Sequence, residues 1–92
     1  MEFLITFEST TAAFRAEQAV RKDLSRIIPE LVSVPFKLAE TCYGIGMKFI
    51  GTKNDASDIF HLCSEKTIAI KRIWQKVEED YVAFNPKAGD EK

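Results

Sequence analysis

The sequence is poor in the side chains that most chemistry depends on. Its 92 residues include one histidine, His61. A zinc site takes three or four suitable ligands, and His61 cannot share a metal with Cys63, because residues two apart point to opposite sides of a helix. His61 falls on the polar side of a predicted helix. It therefore reads as a solvated residue, and serine hydrolysis and imidazole acid–base catalysis are left without support. The four glycines form no Walker-type phosphate loop, and Gly44-Ile45-Gly46 lacks the third glycine and the following helix of a dinucleotide fingerprint. An excess of one charge is missing too. Thirteen Lys and Arg stand against fourteen Asp and Glu, for a net charge of −1. That excludes the electrostatic footprint of a nucleic-acid binder and of a polybasic membrane-surface module. The aromatics fall mostly on core-periodic positions, not on an exposed basic sheet that would stack RNA bases. No apolar run approaches the ~20 residues of a membrane span. Met1-Glu2-Phe3-Leu4-Ile5 shows neither a basic leader nor a small-residue cleavage site. Two cysteines are too few for a disulfide framework, so thiols in a reducing cytoplasm are expected. No metal or cofactor is expected.

What is present is the composition of an ordinary globular domain, 46% hydrophobic and 29% charged. One α+β domain over residues 1–85 is expected, with residues 86–92 as a frayed tail. Phe3, Ile5 and Phe7 alternate with Leu4, Thr6 and Glu8, the period of a strand, and Leu4 hints that this strand is covered on both sides. Ser9, Thr10 and Thr11 supply hydroxyls for a helix cap. Behind them Ala13, Ala16, Val20, Leu24 and Ile27 recur at spacings of three and four. The spacing predicts a helix over about 10–25, stopped by Pro29, with Glu17 and Arg21 paired at i,i+4. Leu31–Val34 reads as a short strand ended by Pro35, and Tyr43–Ile50 as a third strand with Gly44 and Gly46 inside it. Ala56, Ile59, Phe60 and Cys63 mark a second amphipathic helix over about 55–65.

The last third is ambiguous, because no glycine or proline stands between Thr52 and Pro86. Thr67-Ile68-Ala69-Ile70 begins like a strand, yet Ile70, Ile73, Trp74, Val77, Tyr81 and Phe84 also fit a helical stripe. A fourth strand over about 67–75 with an irregular or short helical tail is the preferred reading, and one helix from 55 to 83 its competitor. The order strand, helix, strand, strand, helix, strand predicts a ferredoxin-like two-layer sandwich, with two helices on one face of a four-stranded antiparallel sheet. The expected core is Phe3, Ile5, Phe7, Ala13, Ala16, Val20, Leu24, Val32, Met47, Phe49, Ile59, Phe60, Cys63 and Ile70. Trp74 and Tyr81 are left over from that plan, and spare aromatics of this kind predict a homodimer.

The two cysteines separate. Cys63 shares the apolar helix face with Ile59 and Phe60, where a free cysteine acts as a small hydrophobe. Cys42 stands where a loop meets a strand, flanked by Thr41 and Tyr43. Nearby backbone N–H groups and Lys37 or Lys48 would favour its thiolate, while an unreactive, half-buried thiol is the bland alternative.

Two stretches carry a resemblance. The opening Phe3-Leu4-Ile5-Thr6-Phe7-Glu8-Ser9-Thr10-Thr11-Ala12-Ala13 is one, and Val34-Pro35-Phe36-Lys37-Leu38-Ala39-Glu40-Thr41-Cys42, followed by Tyr43-Gly44-Ile45-Gly46-Met47-Lys48-Phe49, is the other. Over about residues 2–75 the chain resembles a family of short bacterial and archaeal proteins of unknown function described as selenium/sulfur carrier-like. Its members begin with a strand of the type YLITF running into a Thr-rich helix start, and carry a Val-Pro segment leading to a cysteine. Members read Cys-Gly where this chain has Cys42-Tyr43-Gly44, and a basic residue where it has Phe36, with Lys37 one place later. The resemblance implies that Cys42 carries sulfur or selenium as a persulfide or selenenylsulfide, taken from a donor protein and passed to an acceptor protein by thiol exchange. Lys37 and Lys48 would stabilise the anion, and Gly44 and Gly46 would let a partner's active site come close. The competing function is a non-catalytic interaction or regulatory module in which Cys42 is incidental.

Overall fold

The computed structural model describes residues 1–34 and 44–86. In chain order the elements are β1 (Glu2–Phe7), α1 (Thr10–Asp23), β2 (Glu30–Ser33), β3 (Ile45–Ile50), α2 (Lys53–Glu65), β4 (Ile70–Val77) and β5 (Asp80–Ala83). All strand pairs are antiparallel, in the spatial order β2-β3-β1-β4-β5. The alternating N-terminal segment is thus the central strand, and it is covered on both faces: Phe3, Leu4 and Ile5 are all essentially inaccessible. Phe3 lies opposite Phe49 and Ile5 opposite Met47 and Ile73. These side chains form the face on which α1 and α2 pack, touching each other as well as the sheet. Among the described residues no helix is long and apolar enough to cross a membrane.

The local chemistry explains each boundary. Ser9 caps α1, its Oγ accepting the Ala12 N–H at 3.1 Å, and the helix buries a thin alanine face, Ala12, Ala13, Ala16 and Ala19 with Val20. Short side chains let its backbone lie close over the sheet. The helix ends at Asp23, close to the expected end near 25: Leu24 still donates to the Val20 carbonyl at 2.8 Å, but its backbone has left the helical region, with φ of −129° and ψ of 60°. The chain then turns so that Ile27 enters the core. Thr52 begins α2 with a capping box: its Oγ1 accepts the Asp55 N–H at 3.1 Å, and Asp55 Oδ2 accepts the Thr52 N–H at 3.0 Å. Arg26 braces that turn, donating from Nη2 to Asp55 Oδ1 at 2.9 Å and to Asp58 Oδ2 at 2.6 Å. The Thr52 N–H, and then Arg26, hold the Asp55 carboxyl below the usual carboxylate range.

The end of α2 settles the ambiguous last third. Lys66 is the C-cap, and Thr67 follows in the left-handed region with φ of 59°. Ile68 donates to the Cys63 carbonyl at 2.8 Å and Thr67 to the Ser64 carbonyl at 3.2 Å. This is a Schellman ending built without glycine, so the competing reading of one helix from 55 to 83 is excluded. A β-branched residue at positive φ is strained. Thr67→Gly should raise the unfolding free energy by about 0.5–1 kcal/mol, measured as a rise in urea midpoint at constant slope.

The sheet has five strands where four were expected. The tail read as irregular is β5, joined to β4 by a two-residue turn in which Glu78 takes a φ of 59°. That turn type ordinarily selects glycine or asparagine, and Glu78-Glu79 gives no such signal. The helix-like stripe in this region is a bulge: the pairing of β1 with β4 shifts between Thr6 and Phe7, so Thr6 faces Arg72 and Phe7 faces Ile70. The extra residue, Lys71, puts Ile70 and Ile73 on one face at a spacing that mimics a helix. The core also differs in part from expectation. Leu24, Val32, Phe60 and Ile70 are half-buried, whereas Leu4, Ile27, Ala56, Ile68 and Ile73 are buried.

Candidate functional site

Cys42, Lys37 and Thr41 lie outside the described residues, and the structure defines what flanks them. β2 and β3 form a hairpin in the register Glu30 with Lys48, Val32 with Gly46 and Ser33 with Ile45. The Val34 N–H donates to the Gly44 carbonyl at 3.0 Å, so the segment 35–43 starts and returns at two hydrogen-bonded neighbours. Cys42 stands two residues before one of those anchors.

The three described candidates, Gly44, Gly46 and Lys48, lie on β3 or just before it, and their alternate spacing puts them on the face away from the helices. A Cβ on Gly46 would come within 2.9 Å of the Ile5 carbonyl oxygen and 3.1 Å of Leu4 and Val34 side-chain carbons. Glycine at 46 is therefore required by the chain's own central strand. Among the described residues a Cβ on Gly44 would meet nothing within 4 Å. Lys48 forms an ion pair with Glu30, Nζ to Oε1 at 3.7 Å. Four residues of extended chain separate it from Gly44, about 13 Å.

The same end of the sheet also carries the start of α1. Stepping the β1–β3 register on from Ile5 and Met47 brings Phe7 level with Ile45. The N-terminus of α1, opened by Ser9, therefore stands at the same end of the sheet as the Val34–Gly44 anchor. The hydroxyl run Ser9-Thr10-Thr11 marked the cap, but only the strand register shows which end of the sheet it stands at.

Cys63 sits on the inner face of α2 with no exposed surface. Burial pushes its thiol up to about 11 from an ordinary 9.0, so it is protonated at neutral pH and closed to reagents. His61 is exposed on the outer face, its ring edge-on to Phe60 at 5.7 Å. On the helix side a groove of about 350 Å³ opens between α2 and β4–β5, floored by Phe60, Ile70, Ile73 and Phe84. Lys71, Arg72 and Asn85 also line it, and neither a cysteine nor a histidine is among the described residues that do.

A scan of protein-family models matches residues 2–75 to the family described as "Putative Se/S carrier protein-like". The chain belongs to this family. The match runs from β1 into β4 and stops short of β5, so the fifth strand stands outside what the carrier-like family model describes. Searches of curated proteins and of solved structures find no match to the chain.

Proposed function

We propose that this Se/S carrier-like protein carries a sulfur or selenium atom on the Cys42 thiol. The observation that carries the reading is the state of the other cysteine. A chalcogen carrier of this kind needs an accessible thiolate, and Cys63 is sealed in the core with its thiol held protonated. Membership of the carrier-like family supplies the need for such a thiol, and Cys42 is left to meet it. The frame we infer is a ferredoxin-like sandwich extended by β5, with Cys42 in the connection that leaves and re-enters the sheet at Val34 and Gly44.

In the proposed reaction the Cys42 thiolate attacks the outer sulfur of a donor protein's persulfide. The new S–S bond forms on Cys42, the donor's S–S bond breaks, and the donor cysteine leaves as a thiolate. Nothing is oxidised or reduced overall, and the reverse exchange hands the atom to an acceptor protein. Lys37, five residues before Cys42, and the N-terminal end of α1 would lower the thiol pKa. Gly44, beside which no described residue would meet a Cβ, would let the donor's active site come close. Lys48, already paired with Glu30, would contribute at longer range. A reducing cytoplasm would keep both thiols free.

The test is intact mass after incubation with a cysteine desulfurase and cysteine. One or more additions of about 32 Da, removed by dithiothreitol, are expected on the native chain and on Cys63→Ser, and none on Cys42→Ser. On Cys63→Ser, the alkylation rate against pH should show a midpoint below the ~8.5 of an ordinary thiol. An unloaded protein with an ordinary or raised midpoint would leave Cys42 incidental, in a protein that works through binding alone.

A further inference from the structure

We propose that this chain pairs with a second copy through the outer edge of β5, joining the two sheets into one antiparallel sheet about a two-fold axis normal to it. Among the described residues the sheet ends in two edge strands, β2 and β5. An edge strand presents a row of backbone N–H and C=O groups that templates further pairing unless something blocks it.

The β2 edge is blocked. The Val34 N–H points to Gly44 at the start of β3, and direction alternates along an antiparallel ladder. Pro29, Leu31 and Ser33 therefore turn their backbone outward. Pro29 has no N–H to offer, and its carbonyl already accepts Arg21 Nη2 at 3.3 Å. The β5 edge carries no such block. The Phe84 N–H donates to the Ile73 carbonyl at 2.8 Å, so Asp80 and Val82 turn their backbone to β4 while Tyr81 and Ala83 turn theirs outward. Asp80–Ala83 contains neither proline nor lysine, and its pairing with β4 runs without a bulge that would twist the edge away. Val82 and Ala83 are both exposed, Val82 by 52%.

The strand is its own complement. With Val82 on the axis, Tyr81 of each copy lies opposite the other's Ala83, and each such pair exchanges two N–H···O bonds. Val82 meets its own counterpart in the closely spaced, non-hydrogen-bonded position, which covers an aliphatic side chain that now stands in solvent. Asp80 comes opposite Phe84 and Glu79 opposite Asn85, so no carboxylate is set against another. The antiparallel arrangement carries the acidic turn Glu78-Glu79-Asp80 of one copy to the end of the sheet where Lys71 and Arg72 lie on the other. With β2 blocked, each copy has one edge to give, and assembly closes at two chains. The β2–β3 hairpins lie at the far ends of the joined sheet. The pairing is thus independent of the carrier chemistry, and a Cys42→Ser chain should associate equally.

Sedimentation equilibrium tests it. The native chain should reach the mass of two chains with a Kd on the order of 100 μM, as suits a contact smaller than a standard interface. Val82→Lys and Val82→Glu each set like charges against one another on the axis, and each should raise Kd at least roughly tenfold. Val82 is exposed, so the circular dichroism of both variants should be unchanged. An equal mixture of the two sets opposite charges on the axis and should associate again. Ser33→Lys, on the blocked β2 edge, should leave Kd as it was. A single chain's mass at several hundred micromolar would overturn the proposal, as would a dimer broken by Ser33→Lys and untouched by Val82→Lys. A mixture that stays monomeric would overturn the placement of Val82 on the axis.

Discussion

Phe3→Ala is expected to lower the unfolding free energy by about 3–5 kcal/mol, a large fraction of the total for so small a domain. Phe3 has no exposed surface. Its ring stacks on Phe49 at 5.2 Å and meets the edge of Phe84 at 5.5 Å. Truncation removes the ring that joins the central strand to β3 and to the segment after β5, and leaves a void that the surrounding strands cannot collapse to fill. The companion Phe60→Ala should cost distinctly less, because Phe60 is half-buried at the rim of the groove beside α2. Urea unfolding of the two variants checks the order. Equal losses, or a loss below about 1 kcal/mol for Phe3→Ala, would show that the aromatic stack is not the centre of the core.

Alkali should destabilise this protein through Cys63. Burial raises the folded thiol to about 11 from 9.0, so the native state holds the proton more tightly than the unfolded chain does. A raised folded pKa contributes stability that is complete below the unfolded value and is lost as pH climbs through the folded one. The loss therefore runs from about pH 9 to about pH 11, and amounts to on the order of 2–3 kcal/mol. Cys63→Ala removes the titrating group and should flatten the decline, although its stability near pH 7 falls somewhat through the lost sulfur contacts. Urea midpoints for both proteins at pH 8, 9.5 and 10.5 measure the difference in slope, which cancels the lysines and tyrosines common to both. Parallel declines would refute the role of the buried thiol.

The parts of the fold that could be read from the sequence are those where one period dominates. Phe3, Ile5 and Phe7 announced a strand, and Leu4 announced that it was covered on both faces. Ala12 to Val20 announced a helix laid closely over a sheet. The second helix was legible for the same reason, and its core cysteine with it. The region after Glu65 was not, because its two decisive turns are made by Thr67 and Glu78 at positive φ, where glycine or asparagine would have given a signal. The bulge at Lys71 compounded this by giving a strand the spacing of a helix. β5 followed from neither pattern nor family, since the family match ends at residue 75. Of the candidate site, Gly46 was legible as a place of close approach, but not that the approaching group is the Ile5 carbonyl of the chain's own central strand. The pairing of Lys48 with Glu30 and the position of the α1 N-terminus depend on strand register, which a single sequence leaves free.

The place of β1 in the sheet bears on how the protein folds during synthesis. The β2–β3 and β4–β5 pairings each join neighbouring segments, so both hairpins can assemble locally. The central strand has no local partner: Ile5 must find Met47, and Glu2 must find Lys76. The segment made first therefore stays unpaired until β3 emerges at mid-chain, and its second edge stays open until β4 follows. Closing those long loops costs entropy before any contact repays it, which places this topology among the slower small folders. In the interval the most apolar strand of the molecule, FLITF, is exposed with both edges open, the condition under which strands pair with the wrong chain.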